Sequence, residues 1–391
     1  MRRRRITARP AQASGRLAEL DLLRFIAAMA VLAFHFFVAF ASVWGQRPSA
    51  LFPWLAPVAG LGILGVELFF VISGFVILMT VWGRGLGAFA WSRFVRLYPA
   101  YWLSLAAVVI VYGVLAAKPL DPKLSVAGYL ANATMLQRLF DVTEIMNVHD
   151  AMGVYWSLWA ELRFYLLISI VVIIGVTYRR VLVFMGVWLA AALAVVAPGW
   201  FGYEVALLRH EIVTEIVMPA YAGYFIAGMA LYLIHRHGSA WLPWLLFALS
   251  WVLAVDSAID RVARRIKAAG FAAMPVTETG VVFTITLIFA VMAMVALGYL
   301  RMPSSPVLTA LGGTTYPLYL FHSIVAVALI PPLVGAMPAW AVGVIATLVT
   351  LLLSYLVYSC AERPIQRLLR PRRTPQSTPM PAVRVEKASV P

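Results

Sequence analysis

The feature that most constrains this chain is a series of apolar runs, most of them about twenty residues long. They fall near residues 21–43, 59–81, 97–116, 155–177, 180–197, 216–234, 240–255, 280–299, 316–335 and 339–360. A helix of about 20 residues crosses the roughly 30 Å hydrocarbon core of a bilayer. Because 63% of the residues are hydrophobic and only 12% are charged, a soluble, disordered or fibrous protein is excluded. The sequence predicts an all-α polytopic membrane protein, a single bundle of about ten transmembrane helices.

The segments outside the apolar runs are short loops and two basic tails. We expect an N-terminal tail over 1–20, a membrane domain over 21–362 and a Pro-rich C-terminal tail over 363–391. An uncleaved first helix is favoured over a cleaved signal peptide, because its apolar run exceeds the usual 7–15 residues. The single cysteine, Cys360, excludes a disulfide framework and a cysteine-ligated zinc site. The histidines are scattered and predict no metal site.

The distribution of basic residues predicts the orientation of the chain. With ten helices both termini lie on one side, and most of the 31 Lys and Arg residues fall on that side. The positive-inside rule therefore predicts cytoplasmic termini. The exception is the outer loop 256–279, where Ile259, Val262 and Ile266 recur at helical spacing and predict an amphipathic helix on the interface. No basic segment carries interleaved aromatics, so nucleic-acid binding is not expected.

Six ionisable residues lie inside the predicted helices, away from their ends. An ionisable group in hydrocarbon costs at least about 2.5–3.5 kcal/mol, so each of them needs a reason. These residues are Arg24, His35, Glu67, Glu161, Arg163 and His322.

The residues at the outer level predict acid–base chemistry. His35 lies eleven residues after Arg24, about three helical turns, so both side chains share one face of the first helix. Glu67 and Glu161 are expected at a depth similar to that of His35, and Ser157 shares a face with Glu161. A carboxylate beside His35 would fix its tautomer and support it as a general base. A buried polar network without catalytic function is the alternative.

On the cytoplasmic side, Arg93 and Arg96 stand three residues apart just before the predicted third helix. Arg side chains and a helix N-terminus both suit phosphate oxygens, although such a pair can also serve only as a topology anchor. An anion site on the cytoplasmic side suits a phosphate-bearing donor. A histidine and a carboxylate at the outer level suit an acceptor that arrives from outside.

Seven segments, in order over residues 16–365, resemble the acyltransferase-3 family of membrane O-acyltransferases. They are RLAELDLLRFIAAMAVLAFHFF (16–37), GVELFFVISGFVI (65–77), FVRLYPAYW (94–102), WSLWAELRFYLL (156–167), PAYAGYFIAGMALY (219–232), LGGTTYPLYLFH (311–322) and AERP (361–364). The family motifs Arg-x10-His, Arg-x-x-Arg and Ser-x-x-x-Glu fall on residues 24 and 35, 93 and 96, and 157 and 161. Two departures are mild: Glu67 stands where Asp is common, and Arg163 where Gln is common.

The resemblance implies transfer of an acyl group, usually acetyl from acetyl-CoA, to a hydroxyl of a cell-envelope or extracellular glycan in a bacterial inner membrane. It implies no tightly bound cofactor, because the acyl-CoA is a donor substrate. Membrane lipid and polysaccharide-biosynthesis proteins are the other expected partners. It assigns catalysis to His35 and Glu161, donor binding to Arg24, Arg93 and Arg96, and substrate binding to Ser157, Glu67 and His322.

Several alternatives stay open. His322, expected nearer the cytoplasm than His35, is either a functional or a hydrogen-bonded structural histidine. Arg163 is expected to compensate a neighbouring carboxylate, which leaves the free charge of Glu161 open. Ser73 could form an acyl-enzyme, or its Ser-Gly pair could serve close helix packing. A transporter would also need intramembrane charges, but the sequence has no repeated halves of the kind that many transporters have. Succinyl in place of acetyl and the identity of the acceptor stay open as well.

Overall fold

The computed structural model of the protein describes residues 17–112, 125–203, 205–268 and 276–369. Most of both predicted tails, residues 1–16 and 370–391, lies outside the described residues. Within those residues, ten helices are long and apolar enough to cross a membrane, which confirms the predicted fold class. We label their spans α1 (Ala18–Ala39), α2 (Ala56–Val81), α3 (Leu86–Ile110), α4 (Trp156–Ile174), α5 (Tyr178–Trp200), α6 (Glu211–His237), α7 (Trp241–Arg265), α8 (Glu278–Leu297), α9 (Pro306–Leu333) and α10 (Ala339–Leu369). The end of the bundle that holds Ala18 and Leu369 is called the proximal face, and the other end the distal face.

The centre of the bundle is formed by α2 and α6. In each of these spans 72% of the apolar window is buried, and in α9 the share is 67%, whereas the other spans have 50% or less. The α2 and α6 backbones touch, because a Cβ on Gly228 would lie 2.0 Å from the Val71 carbonyl oxygen. Likewise, a Cβ on Gly74 would lie 2.2 Å from the Phe225 carbonyl oxygen. Small residues at such crossings let membrane helices approach closely. α9 packs on the other side against α1, α3 and α10.

Two helices begin earlier than hydropathy predicts. The α3 helix begins at Leu86 rather than near residue 97, and α9 begins at Pro306 rather than near residue 316. The Ser305 hydroxyl caps α9 by accepting hydrogen bonds from the amides of Val307 and Leu308. Hydropathy misses these starts because polar stretches at residues 92–96 of α3 and 312–316 of α9 lie between the first turns and the apolar runs. The start of α9 is marked by the capping Ser305 and by Pro306 in the first turn.

The prediction of a separate amphipathic helix in an outer loop over 256–279 is wrong. The α7 helix continues without a break from Trp241 to Ala268, because no Gly or Pro follows Pro243 within it. Its distal part turns the amphipathic face inward, where Arg261 pairs with Glu67 of α2 at 2.8 Å. The remaining part of that predicted loop, residues 269–275, lies outside the described residues.

A loop between α3 and α4, which we call the cap loop (residues 125–155), lies over the distal face. The buried Asn132 side chain holds it together. Its amide nitrogen donates to the carbonyls of Gly128 and His149, and its oxygen accepts from the amide of Ala151. The Asn132 carbonyl accepts from the Tyr101 hydroxyl at 2.7 Å, which ties the cap loop to α3. The Asn132 side chain thus holds the cap loop together over the distal face.

Candidate active site

A partly open cavity lies between α1, α2, α3, α4 and α9, with about 710 Å³ of empty space including the solvent at its opening. Its polar lining consists of Arg24, Ser73, Arg93, Arg96, Ser157, Glu161, Thr315, Tyr316 and Tyr319. Its apolar lining consists of Val66, Phe69, Phe70, Val76, Ile77, Leu97 and Leu158. The structure therefore brings five of the eight predicted site residues to one cavity, whereas His35, Glu67 and His322 lie elsewhere.

The proximal part of the cavity carries the three arginines. Arg24 lies about 9 Å along α1 and Arg93 about 10 Å along α3, so the two guanidinium groups enter at similar depth. Arg24 pairs with the buried Asp21 carboxylate at 3.8 Å. The Arg93 guanidinium lies over the rings of Phe89 and Tyr165, at 5.9 Å from each centroid. The walls thus hold these cations in place and leave the positive charge facing the cavity.

The expectation that a helix N-terminus lies beneath Arg93 and Arg96 is wrong. Because α3 begins at Leu86, both residues lie two to three turns inside the helix. The potential of a helix end falls off within its first turn. The positive potential at this end of the cavity therefore comes from the arginine side chains themselves.

Among the residues that the structure describes, Glu161 is the one acidic residue in the cavity lining. Its carboxylate accepts hydrogen bonds from the Ser73 hydroxyl, at 3.2 Å, and from the Tyr165 hydroxyl. Arg163 does not neutralise it, because the Arg163 guanidinium donates instead to Glu215 at 2.6 Å. Three arginines thus face a single carboxylate, and the cavity favours anionic ligands.

The distal end of the cavity is closed by hydrogen bonds between α4, α9 and the cap loop. The hydroxyls of Ser157 and Tyr319 lie 2.6 Å apart, and the Tyr319 hydroxyl donates to the Val154 carbonyl at 2.8 Å. Both side chains are buried. We call these three residues the distal plug.

His35 contacts another histidine rather than a carboxylate. His322 Nε2 lies 3.0 Å from His35 Nδ1, and the ring centroids are 4.9 Å apart. The prediction that His322 lies nearer the proximal face is wrong, because α9 begins at Pro306 and carries His322 about 24 Å along its axis. The two histidines therefore share one level.

The histidine pair lies directly behind the distal plug. The ring of Tyr319 is 5.9 Å from that of His322 and 6.1 Å from that of Phe69. Tyr319 and Phe69 line the cavity, so one layer of aromatic rings separates it from the imidazoles. The remaining neighbours of His35 include Phe34 and Phe40, whose rings lie 5.1 Å and 4.9 Å away.

Glu67 does not join His35 as expected. It is 2% exposed, and it pairs with Arg261 on the side of α2 that faces α7. Arg261 also donates to the Tyr224 hydroxyl at 3.3 Å and lies 5.2 Å from the ring of Tyr221. Similar depth was not enough to bring Glu67 to the cavity, because the lining residues Phe69 and Ser73 lie on another face of the same helix.

Sequence reasoning did not select two hydroxyls that shape the cavity. Tyr165 lies four residues after Glu161 and Tyr319 three residues before His322, so each shares a helix face with a residue that was selected. A search for hydroxyl groups at these spacings would have found both.

Outside the membrane spans, the surroundings of Asp150 in the cap loop shift its protonation. Burial raises the pKa of this carboxyl above its ordinary value, while the Gln137 amide, which donates to it at 2.7 Å, opposes the rise. Among the described residues, no group of three or more His, Cys, Asp and Glu could hold a metal ion.

Comparisons with known proteins identify the family of the chain. Neither the curated proteins nor the solved structures gave a match. The family description "Acyltransferase domain" of the acyltransferase-3 family matches residues 17–359, nearly the whole chain. This match supports membrane acyltransferase activity and contains every cavity residue named above. The chain belongs to the acyltransferase-3 family.

Proposed function

We propose that the protein transfers acetyl from acetyl-CoA to a hydroxyl of a cell-envelope polysaccharide. The observation that carries this proposal is one cavity with three arginines at one end, together with a histidine pair that lies behind a layer of aromatic rings at the other end. A phosphate-bearing donor fits the first end, and a base for a hydroxyl nucleophile is available at the second.

Acetyl-CoA binds as a substrate and not as a resident cofactor. Arg24, Arg93 and Arg96 contact its phosphates, since guanidinium groups donate bidentately to phosphate oxygens. The pantetheine arm extends along the apolar wall that includes Val76 and Ile77. The thioester then reaches the distal plug, beside the histidine pair.

In the transfer step, His35 acts as the general base. The acceptor hydroxyl gives its proton to the imidazole while its oxygen attacks the thioester carbonyl carbon. The tetrahedral intermediate then collapses, and the C–S bond breaks. The proton passes from His35 to the CoA thiolate, and the products are an acetyl ester and free CoA.

Glu161 and Ser157 position the reacting groups. Glu161 is held by Ser73 and Tyr165, so its carboxylate is fixed where it can accept a hydrogen bond from the donor or acceptor. Ser157 sits in the distal plug, where its hydroxyl can exchange Tyr319 for a substrate oxygen.

The donor side faces the cytoplasm in this proposal, and the protein lies in a bacterial inner membrane with both termini inside. The acceptor glycan, membrane lipid and polysaccharide-biosynthesis proteins are its partners. In a Cys360-free background, single cysteines at Arg179 and His237 are expected to be shielded from an external thiol reagent. Cysteines at Asp141 and Glu211 are expected to react with it. The opposite pattern would place the arginines outside and contradict the mechanism.

The central test uses vesicles that contain the purified protein, radiolabelled acetyl-CoA on the arginine side and envelope glycans of the host as acceptors. We expect the glycan to become labelled. In cells, envelope glycans should carry a mass increment of one acetyl group that is absent from cells without the gene. Succinyl-CoA in the same assay determines the acyl group.

His35→Ala should lower the rate by about 10²–10⁴-fold, as for loss of a general base. His237→Ala, at the exposed end of α6, is the matched control and should keep the rate. A folded His35→Ala protein with wild-type activity would refute the role of His35. Movement of a solute without acyl transfer would indicate a transporter.

A further inference from the structure

The His35–His322 pair has a defined arrangement of protons. His35 Nδ1 lies 3.0 Å from the Val31 carbonyl oxygen, and His322 Nδ1 lies 3.2 Å from the Leu318 carbonyl oxygen. A carbonyl oxygen only accepts, so each of these Nδ1 atoms carries the hydrogen in the neutral ring. The carbonyls of α1 and α9 thus assign the same tautomer to both imidazoles, with the lone pair on Nε2.

This assignment makes the contact between the rings directional. The one hydrogen on His35 Nδ1 is shared: it donates to the Val31 carbonyl oxygen and also to the lone pair of His322 Nε2, each at 3.0 Å. The Ser323 hydroxyl lies 3.2 Å from the same Nε2 and donates to it as well. The lone pair on Nε2 of His35 then has no hydrogen-bond partner among the described residues. It is therefore the atom free to take a proton.

The pair also explains why a second imidazole is buried here. His322 is 1% exposed, and burying a polar ring stabilises a protein only when its nitrogen atoms are satisfied. What the imidazole adds is an acceptor directed at Nδ1 of His35.

We propose that His322 is a positioning residue, which holds His35 in the tautomer and orientation where Nε2 accepts the proton of the acceptor hydroxyl. When Nε2 takes that proton, His35 becomes an imidazolium, and its Nδ1–H bond to His322 strengthens because the donor is now charged. His322 thus occupies the place that a carboxylate has beside the histidine of hydrolase triads. It differs from a carboxylate in keeping the ground state of the pair uncharged.

This role rests on the proposed function of His35, and its test compares two polar substitutions of similar size. In His322→Gln the amide oxygen reaches the former place of Nε2 and can still accept from His35. In His322→Asn the amide oxygen ends near the former place of Nδ1 and cannot reach His35. We expect kcat of His322→Gln within about tenfold of the wild type, and kcat of His322→Asn and His322→Leu about 10²-fold lower or more.

The Michaelis constant separates positioning from packing. KM for acetyl-CoA should stay within about twofold in all three variants, because the arginines do not change. A matched control is His235→Leu, since His235 Nδ1 also contacts a helix carbonyl, that of Ala296 at 2.9 Å, but has no histidine partner. This control should keep kcat. If His322→Leu does not fold, the comparison of Gln with Asn decides alone.

Two results would overturn the proposal. Equal kcat values for His322→Gln and His322→Asn would show that acceptance at the Nε2 position is irrelevant. A wild-type kcat in folded His322→Leu would show that His322 has no part in the reaction. Both differ from failure of the proposed function, in which the wild type itself transfers no acetyl and His35→Ala changes nothing.

Discussion

The Glu67–Arg261 ion pair is expected to be structural, and removing one partner should destabilise the protein. Both side chains are buried, at 3% and 12% exposure, and their charged atoms are 2.8 Å apart. Breaking a buried pair by removing one partner costs about 3–5 kcal/mol, because the other charge is left unpaired. The second carboxylate oxygen of Glu67 and Nη1 of Arg261 have no partner among the described residues, so the pair is not bidentate. We therefore expect the lower end for Glu67→Gln, about 3 kcal/mol.

Thermal unfolding in detergent measures this effect. At roughly 2 °C per kcal/mol for a chain of this size, Glu67→Gln should lower Tm by about 6 °C. The double variant Glu67→Leu/Arg261→Met removes both charges and should unfold at a higher temperature than either single variant. Asp260→Asn is the control, because the Asp260–Arg264 pair on the same helix is more than half exposed and should matter little.

Acceptor kinetics provide the decisive second measurement. Because Glu67 faces α7 and not the cavity, KM for the glycan should not change in the folded fraction of Glu67→Gln. A Glu67→Gln protein with unchanged Tm and a KM raised tenfold would refute the structural role. It would return Glu67 to the substrate-binding residues.

The remaining predictions concern the donor end, the cap loop and the helix crossing. Arg93→Ala and Arg96→Ala should each weaken acetyl-CoA binding about tenfold or more, since a charge-assisted phosphate contact contributes roughly 1.5–3 kcal/mol. Calorimetry measures this affinity, and an unchanged value in both variants would mean that the two arginines are only topology anchors. The raised pKa of Asp150 means that the cap loop is most stable at acidic pH and loses stability as pH rises through that pKa. Asp150→Asn should remove this dependence in limited proteolysis carried out at increasing pH from the ordinary Asp pKa of about 3.9 upward, and an unchanged pH profile would contradict it. Gly228→Ala should lower the yield of folded protein strongly, because its Cβ meets the α2 backbone; a wild-type Tm would show that α2 and α6 can move apart.

Hydropathy and charge were sufficient for the architecture, because a bilayer requires long apolar helices whatever their neighbours. The same reasoning failed where a polar stretch lies inside a helix, as at residues 312–316 of α9. It placed the beginning of α9 too late, and His322 therefore at the wrong depth. The capping serine Ser305 and Pro306 were present in the sequence, but a hydropathy count gives them no weight.

For the site, spacing along single helices grouped Ser157 with Glu161 and Arg93 with Arg96, and the structure places all four in the cavity. Contacts between helices could not be predicted in this way. Depth alone does not determine which face of a helix meets which neighbouring helix. The prediction therefore placed Glu67 beside His35, whereas Glu67 pairs with Arg261. Such pairings depend on helix rotation, which packing determines.

The distal plug has a consequence for the bilayer itself. Under a membrane potential, each elementary charge that crosses is worth about 2.3 kcal/mol per 100 mV, so a polar cavity that reached both faces would conduct ions and dissipate that energy. The hydroxyls of Ser157 and Tyr319 and the carbonyl of Val154 bond to one another at the distal end of the cavity. Because three segments of the chain contribute to these hydrogen bonds, we expect a bundle that contains this polar cavity to stay electrically tight in an energised membrane.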